Sequence, residues 1–455
     1  MGKRSYRIKE HTRCVTMRFS TVATDKKGYL KAREAINCEC RNGVIKNAMS
    51  WSRFKWSNGK NIAVPETHIT GAFVTREYLA EEKQFQERIG VIGEYGNVYI
   101  ETPTENKFTC IATGVNQATV ASVGEGVEFY KGIFGDGKAL LVDGSGAVKA
   151  LTDLTDSTMG GAYYRHRLFV GVRPSGVAYS EPENVGIFTK SLYDAGEIRF
   201  ADMGSDVIAM KVFKDKLYLF FDHGIMMMEN CGSPIDFKTK TFAYAGGKIL
   251  GKTVCVANSS IFFMATDGLF RFDGVKVEKV LSGFVQIPYG ETGKESAAAA
   301  GEKIFIHYAQ AASTFVTLVV YEDGKDAYYV TDMEGVSRAD DGRILFRDRN
   351  GVMSVLKESG DYVILGTFDS EETDFGIAGR KTLRKLVLKG RGECYLTVTC
   401  GLISIQYTLD LTSGCMEIPM NFNGERFQFQ FLMLGGSKIE EMTAVLKSAR
   451  REYDY

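Results

Sequence analysis

Gly246, Gly251, Lys252 and Thr253, within GGKILGKT at 246–253, have the spacing of a phosphate-binding glycine loop. That chemistry needs the loop to run from a strand into a helix, whose first amides cradle the phosphate while the lysine reaches over it. The residues after Thr253, VCVANSSIFFMAT, are β-branched and aromatic with no helical period, which predicts a connection between strands instead. Cys38 and Cys40 share one strand face, as a metal pair would, but no CxxC and no nearby histidine completes four ligands. The five histidines, 11, 68, 166, 223 and 307, have no ligand spacing. His166, in YYRHR, reads as a loop or strand-edge residue and not as a general base. GxSxG is absent. No catalytic residue, cofactor or metal site is expected, and the reading is a non-enzyme.

Charge is the next chemical signal. The chain has 56 Lys+Arg against 56 Asp+Glu, so no global field draws it to nucleic acid or an anionic membrane. Residues 1–60 nevertheless hold 15 basic against four acidic residues, and 61–365 hold 40 acidic against 30 basic. The first sixty residues read as an extended basic arm. Lys26, Lys27, Lys31, Arg33 and Arg41 are its candidate contacts, to DNA phosphates or to an acidic face of a neighbouring subunit. Trp51, Phe54 and Trp56 favour the protein contact, because aromatics with arginine are typical of interface centres.

The elements that must position these residues are strands. Short apolar strands recur, each followed by a glycine turn and a second strand: NVYIE, KALLVDGSGAVKAL, RLFVGVRPSGVAYS, KLYLFFDHGIMMME, SIFFMATDGLFRFD, KIFIHYA and RILFRDRNGVMSVL. Their first apolar residues, Val98, Leu140, Leu168, Leu217, Ile261, Ile304 and Ile344, lie 42, 28, 49, 44, 43 and 40 residues apart. Most of these intervals fit a four-stranded propeller blade. Gly146, Gly176, Gly224, Gly268 and Gly351 sit where the turns would need positive φ. The fold expected is all-β: a β-propeller of six or seven blades, with an N-terminal arm and a C-terminal β-sandwich-like domain. Its predicted divisions are 1–85 for the arm and first strands, 86–365 for the propeller and 366–455 for the closing domain. TREYLAEEKQFQERIG at 75–90 is the best helix candidate, and KIEEMTAVLKS fits either a strand or an amphipathic helix. Nine scattered cysteines read as reduced thiols. No apolar run has the length of a signal peptide or a membrane helix.

ATDGLF at 265–270 is similar to part of the Asp-box turn of sialidase-like propellers, but it lacks the tryptophan that completes that turn. No tryptophan lies between 57 and 455, where sugar platforms would use one. Most of the chain instead resembles tailed-bacteriophage structural proteins of the tail hub or nozzle type. GYLKAREAINCECRNGVIKNAM resembles their opening segment. AYYRHRLFVGVRPSGVAYSEPEN, GSDVIAMKVFKDKLYLFFDHGIMMME and ILGKTVCVANSSIFFMATDGLFRFDG resemble their propeller strands. TDFGIAGRKTLRKLVLKGRGECYLTV and GERFQFQFLMLGGSKIEEM resemble their closing β-domain. The resemblance implies a virion tail protein, assembled in the host cytoplasm as a homo-oligomeric ring, of which a hexamer is the suspected form. Its implied partners are a portal or adaptor and other tail proteins, with DNA passing at ejection. The alternative is a propeller that binds or hydrolyses glycans as a receptor module.

Overall fold

A computed structural model describes residues 6–21, 28–47, 50–125, 128–190, 194–357, 360–363 and 365–453. Its described residues form strands joined by turns and short 3-10 segments, with no α-helix among them. The chain divides into two compact units: 51–322 with 331–356, and 1–50 with 323–330 and 357–455.

The first unit is the propeller. Five sheets of four strands follow one another along the chain: Ile69–Leu79 to Lys107–Ala112, Thr119–Glu125 to Val148–Ala150, Ser157–Tyr164 to Gly196–Arg199, Ala209–Phe213 to Lys238–Phe242, and Cys255–Val256 to Val277–Val280. A sixth separate sheet is built on Glu334–Arg338, Ile344–Arg347 and Met353–Lys357, and is joined by the early strand Ser50–Arg53. The meander Ser296–Ala300, Lys303–Ala311 and Thr314–Tyr321 takes a further place before it.

The middle strands of the blades are buried on both faces, so their sequences run apolar without alternation. In the fourth sheet Leu217, Leu219 and Phe221 pack toward Phe169 and Tyr179 of the third. The intervening Tyr218 and Phe220 pack toward Phe263 and Phe272 of the fifth. Burying each large side chain contributes about 1.5–3 kcal/mol, so radial stacking supplies the core that no single hairpin has.

The ring is locked by the segment before the first blade. Phe54 N–H donates to the Met353 carbonyl at 2.9 Å, Met353 N–H to Ile62 at 2.9 Å, and Val64 N–H to Gly351 at 2.8 Å. The propeller thus starts near residue 51 and not at 86. Residues 75–90 are a hairpin, Ile69–Leu79 against Gln84–Gly93, and not a helix. The outer halves of these two strands leave the core, so exposed Glu, Lys and Gln replace the alternation that marks a strand.

Three of the five turn glycines have the expected left-handed backbone: Gly146 (φ +92°), Gly268 (φ +140°) and Gly351 (φ +77°). Gly176 and Gly224 do not. In the turn before Gly176 it is Ser175 that takes positive φ, at +45°.

The second unit is a pair of sheets, and it corrects the reading of an extended arm. Tyr6–Ser20 pairs antiparallel with Lys438–Tyr453 over twelve residues, and Lys381–Arg391 and Cys415–Gly424 continue that sheet. Lys438–Tyr453 includes KIEEMTAVLKS, which is therefore a strand. The other sheet runs Tyr29–Ile36, Gly366–Ser370, Gln428–Met433, Glu393–Cys400, Ile403–Asp410. Strict alternation of burial, as in Cys415–Gly424, marks sheets with one covered face. Phe19 meets Phe368 and Phe431 edge-on at 5.4 and 5.7 Å in the core. The basic N-terminal segment thus supplies four structural strands of this unit: Tyr6–Ser20, Tyr29–Ile36, Cys38–Arg41 and Val44–Asn47.

Candidate functional site

The six described residues among the eight predicted contacts are paired or packed within the chain. Lys26 and Lys27 lie outside the described residues. Lys31 donates to Glu371 at 2.5 Å, Arg33 pairs with Asp369, and Arg41 reaches Asp323 at 2.9 Å and Asp326 at 3.6 Å. These acidic partners belong to the same unit of the same chain. The complementarity expected across subunits is therefore satisfied within one chain. Trp51 is buried in the propeller, edge-on to Phe346 at 5.9 Å. Phe54 and Trp56 pack against Ile69, Val74 and Leu345, where Trp56 meets Phe108 at 5.8 Å. They help to close the ring and are not a presented anchor.

The glycine-loop residues have structural roles. Gly251–Thr253 is a single 3-10 turn leading into the strand Cys255–Val256, so no helix N-terminus is offered. A Cβ at Gly251 would lie 2.6 Å from the Ile208 carbonyl, so glycine is needed for that close approach. Thr253 Oγ1 donates to Leu250 O at 2.6 Å and accepts from Met264 N–H at 2.9 Å. The aspartate of ATDGLF does similar work: Asp267 accepts the Gly247 N–H at 2.8 Å.

His166 lies in a hairpin turn with φ +63° beside Glu183. Cys38 and Cys40 are both buried, and burial drives both thiols far above their usual range. No group of three or more potential metal ligands occurs among the described residues.

Lys252 points to a different site. Its ammonium donates to Gly293 O at 2.8 Å in a cavity of 260 Å³ on the axis of the propeller. Innermost residues from around the ring contribute to it, from Thr70–Phe73 in the first sheet to Val336–Arg338 in the last. The room comes from small side chains. Ser296–Ala300 reads SAAAA, and Ala118, Ala121 and Ala209 also line the space.

Four cations line this space: Lys131, Lys211, Lys252 and Arg338. Lys131 is neutralised, donating to Asp340 at 2.6 Å and Ser122 at 2.9 Å. Lys211 makes no hydrogen bond or ion pair among the described residues, and burial lowers the pKa of its ammonium. Burial also pushes Lys252 down to about 8, opposed by Glu295 and Glu291. Glu295 is the one carboxylate of the lining, and it accepts from Thr292 N–H at 2.6 Å and from Thr292 Oγ1 at 2.7 Å. Cys255, beside Lys211, has its thiol pushed up to about 12 by burial. The arrangement is a positive pocket in the interior of an acidic stretch of chain.

Sequence reasoning reached Lys252 only through a motif it does not serve, and it missed Lys211. The available signal was a lysine interrupting the apolar run IAMKVF.

No family model and no curated protein matches this chain. Solved structures similar to it include WD40 β-propellers. U3-55K is 10% identical, with 65% of this chain and 97% of that one covered and a TM-score of 0.43. The Pan2 WD40 domain of Neurospora crassa is 9% identical, covering 69% and 97%, TM-score 0.44. The WD40 propeller domain of Doa1 is 12% identical, covering 64% and 97%, TM-score 0.39.

Proposed function

We propose that this chain is a structural protein of a tailed-phage virion, a subunit of a homo-oligomeric tail hub or nozzle ring through which DNA leaves the particle. The observation that carries the reading is an unprotected edge in the second unit. Ile403–Asp410 is hydrogen-bonded on one side only among the described residues, to Glu393–Cys400. Its first six residues, ISIQYT, contain no charge and no proline, the usual means of blunting such an edge. Ile403 and Ile405 are exposed on it, and Leu402, in the turn that leads into it, is completely exposed. An apolar open edge of this kind suits a protein whose working state is an assembly.

The axial cavity bears on where DNA would run. A duplex, whose major groove alone is about 12 Å wide, does not enter 260 Å³. In this reading the conduit is a lumen bounded by several copies, and each propeller is part of its wall. Portal, adaptor and other tail proteins are the partners. The test is to locate the protein in the particle by electron microscopy, with the purified chain also imaged alone and with its tail partners. Axial rings are expected. Placement in the capsid shell or a tail fibre overturns the proposal.

A further inference from the structure

We propose that the axial cavity of the propeller is a binding site for a small oxyanion of the phosphate type, held by Lys211, Lys252 and Ser296, with Arg338 contributing positive charge to the lining. Three independent features converge on that space. Lys211 has no acceptor among the described residues although it projects from an otherwise apolar innermost strand. The hydroxyl of Ser296 is buried and has no hydrogen-bond partner. Lys252 is held in place by Gly293 O and makes no ion pair among the described residues, although Glu295 and Glu291 act on it through space.

An orphaned buried hydroxyl and half-buried ammonium groups without an ion-pair partner are each costly. An oxyanion in this cavity would offer them the acceptors they lack, and charge-assisted contacts of this sort are the strong ones. The nearby carboxylates do not substitute for it: Glu295 is turned to Thr292, Glu291 pairs with Lys248 at 2.8 Å, and Asp340 is taken by Lys131. At 260 Å³ the space suits a single compact anion with a few waters and not a polymer.

The test is thermal unfolding of the full chain in sodium phosphate and in sodium chloride of matched ionic strength, with calorimetric titration of inorganic phosphate. For the wild type, Tm is expected to climb with the logarithm of phosphate concentration, as for any ligand that binds only the folded state. Lys211→Met removes a cation without a partner, so in chloride it should be at least as stable as the wild type while losing the phosphate response. Ser296→Ala should leave Tm in chloride unchanged and weaken phosphate about tenfold, the scale of one charge-assisted hydrogen bond; it decides the matter if Lys211→Met does not fold. Lys238→Met, on an exposed outer strand, should keep the full response. A wild type indifferent to phosphate, or Lys211→Met and Ser296→Ala variants that respond like the wild type, overturns the proposal.

Discussion

The propeller and the two-sheet unit solve the problem of sheet edges differently. Each blade is covered on both faces by its neighbours, and the ring closes on itself through the segment that includes Phe54, Ile62 and Val64. The two-sheet unit buries one face of each sheet but leaves Ile403–Asp410 open along an edge, with Ile403 and Ile405 uncovered. The strands differ accordingly: inner blade strands run apolar on both faces, whereas those of the two-sheet unit alternate. Whether an apolar strand ends as core or as a surface waiting for a partner depends on what covers its faces and its edge. The contrast predicts where substitutions destabilise the fold and where they affect association only.

The largest effect is expected in the closed region. Phe220 is fully buried and meets Phe263 at 5.7 Å across the fourth and fifth sheets. Phe220→Ala should cost about 3–5 kcal/mol, as large-to-small changes in tight cores do, measured by urea denaturation. A loss below about 1 kcal/mol would show that the blades do not pack as tightly as the ring requires.

At the open edge the expectation reverses. The pair Leu402→Asp and Ile405→Lys places charge on an exposed strand, so Tm should stay near the wild-type value. Self-association, followed by sedimentation, should weaken by at least tenfold, about 1.4 kcal/mol. Unchanged association would move the interface elsewhere and sharpen the comparison into one between two self-sufficient units.

Much of this architecture was legible because blade strands are apolar on both faces. LYLFFD and SIFFMA read as buried strands from residue type alone. The 28-residue interval was not a short blade. Leu140 lies in the third strand of its sheet and Leu168 in the second of the next, so the count changed strands between them. The hairpin 75–90 was hidden because its ends stand in water, where no core imposes a period of two. The co-folding of the first fifty residues with the last hundred was illegible for another reason. A pairing such as Arg13 with Leu446 leaves no local trace. For the same reason the basic contact residues looked unpaired, since Glu371, Asp369 and Asp323 are far away in sequence. It follows that deleting residues 1–60 would remove sheet strands and ring-closing aromatics together, so such a truncation does not report on an arm.

A smaller, pH-dependent effect belongs to the closed region. His307 is buried, stacked on Phe315 at 5.6 Å and hydrogen-bonded to Thr317 at 3.1 Å; burial, with the nearby His68, pushes its pKa down to about 4. The unfolded chain protonates near 6.5, above the folded value, so this group's contribution is complete above about 6.5 and is lost as pH falls toward 4. Tm measured from pH 7.5 to 4.5 should drop more steeply in the wild type than in His307→Gln. Parallel profiles would place the acid sensitivity elsewhere.

The smallest effect is expected from the basic residues that first suggested an arm. Arg53 and Arg41 show why position matters more than charge. Arg53 donates to Asp348 at 2.6 Å, and both side chains are almost fully buried. Asp348 also accepts the amides of Asn350 and Val352, so it organises the turn of the last blade. Arg41 is partly open to solvent, as is Asp323, and pairs of that kind contribute about 1 kcal/mol or less. Arg41→Ala should therefore change stability by no more than about 1 kcal/mol in urea, and less still in high salt, where screening removes most of the attraction. If instead the variant abolishes ring assembly while its stability is unchanged, the basic strands of the two-sheet unit have a second role at a subunit contact. The apolar edge at Ile403–Asp410 would then not be the only contact surface of that unit.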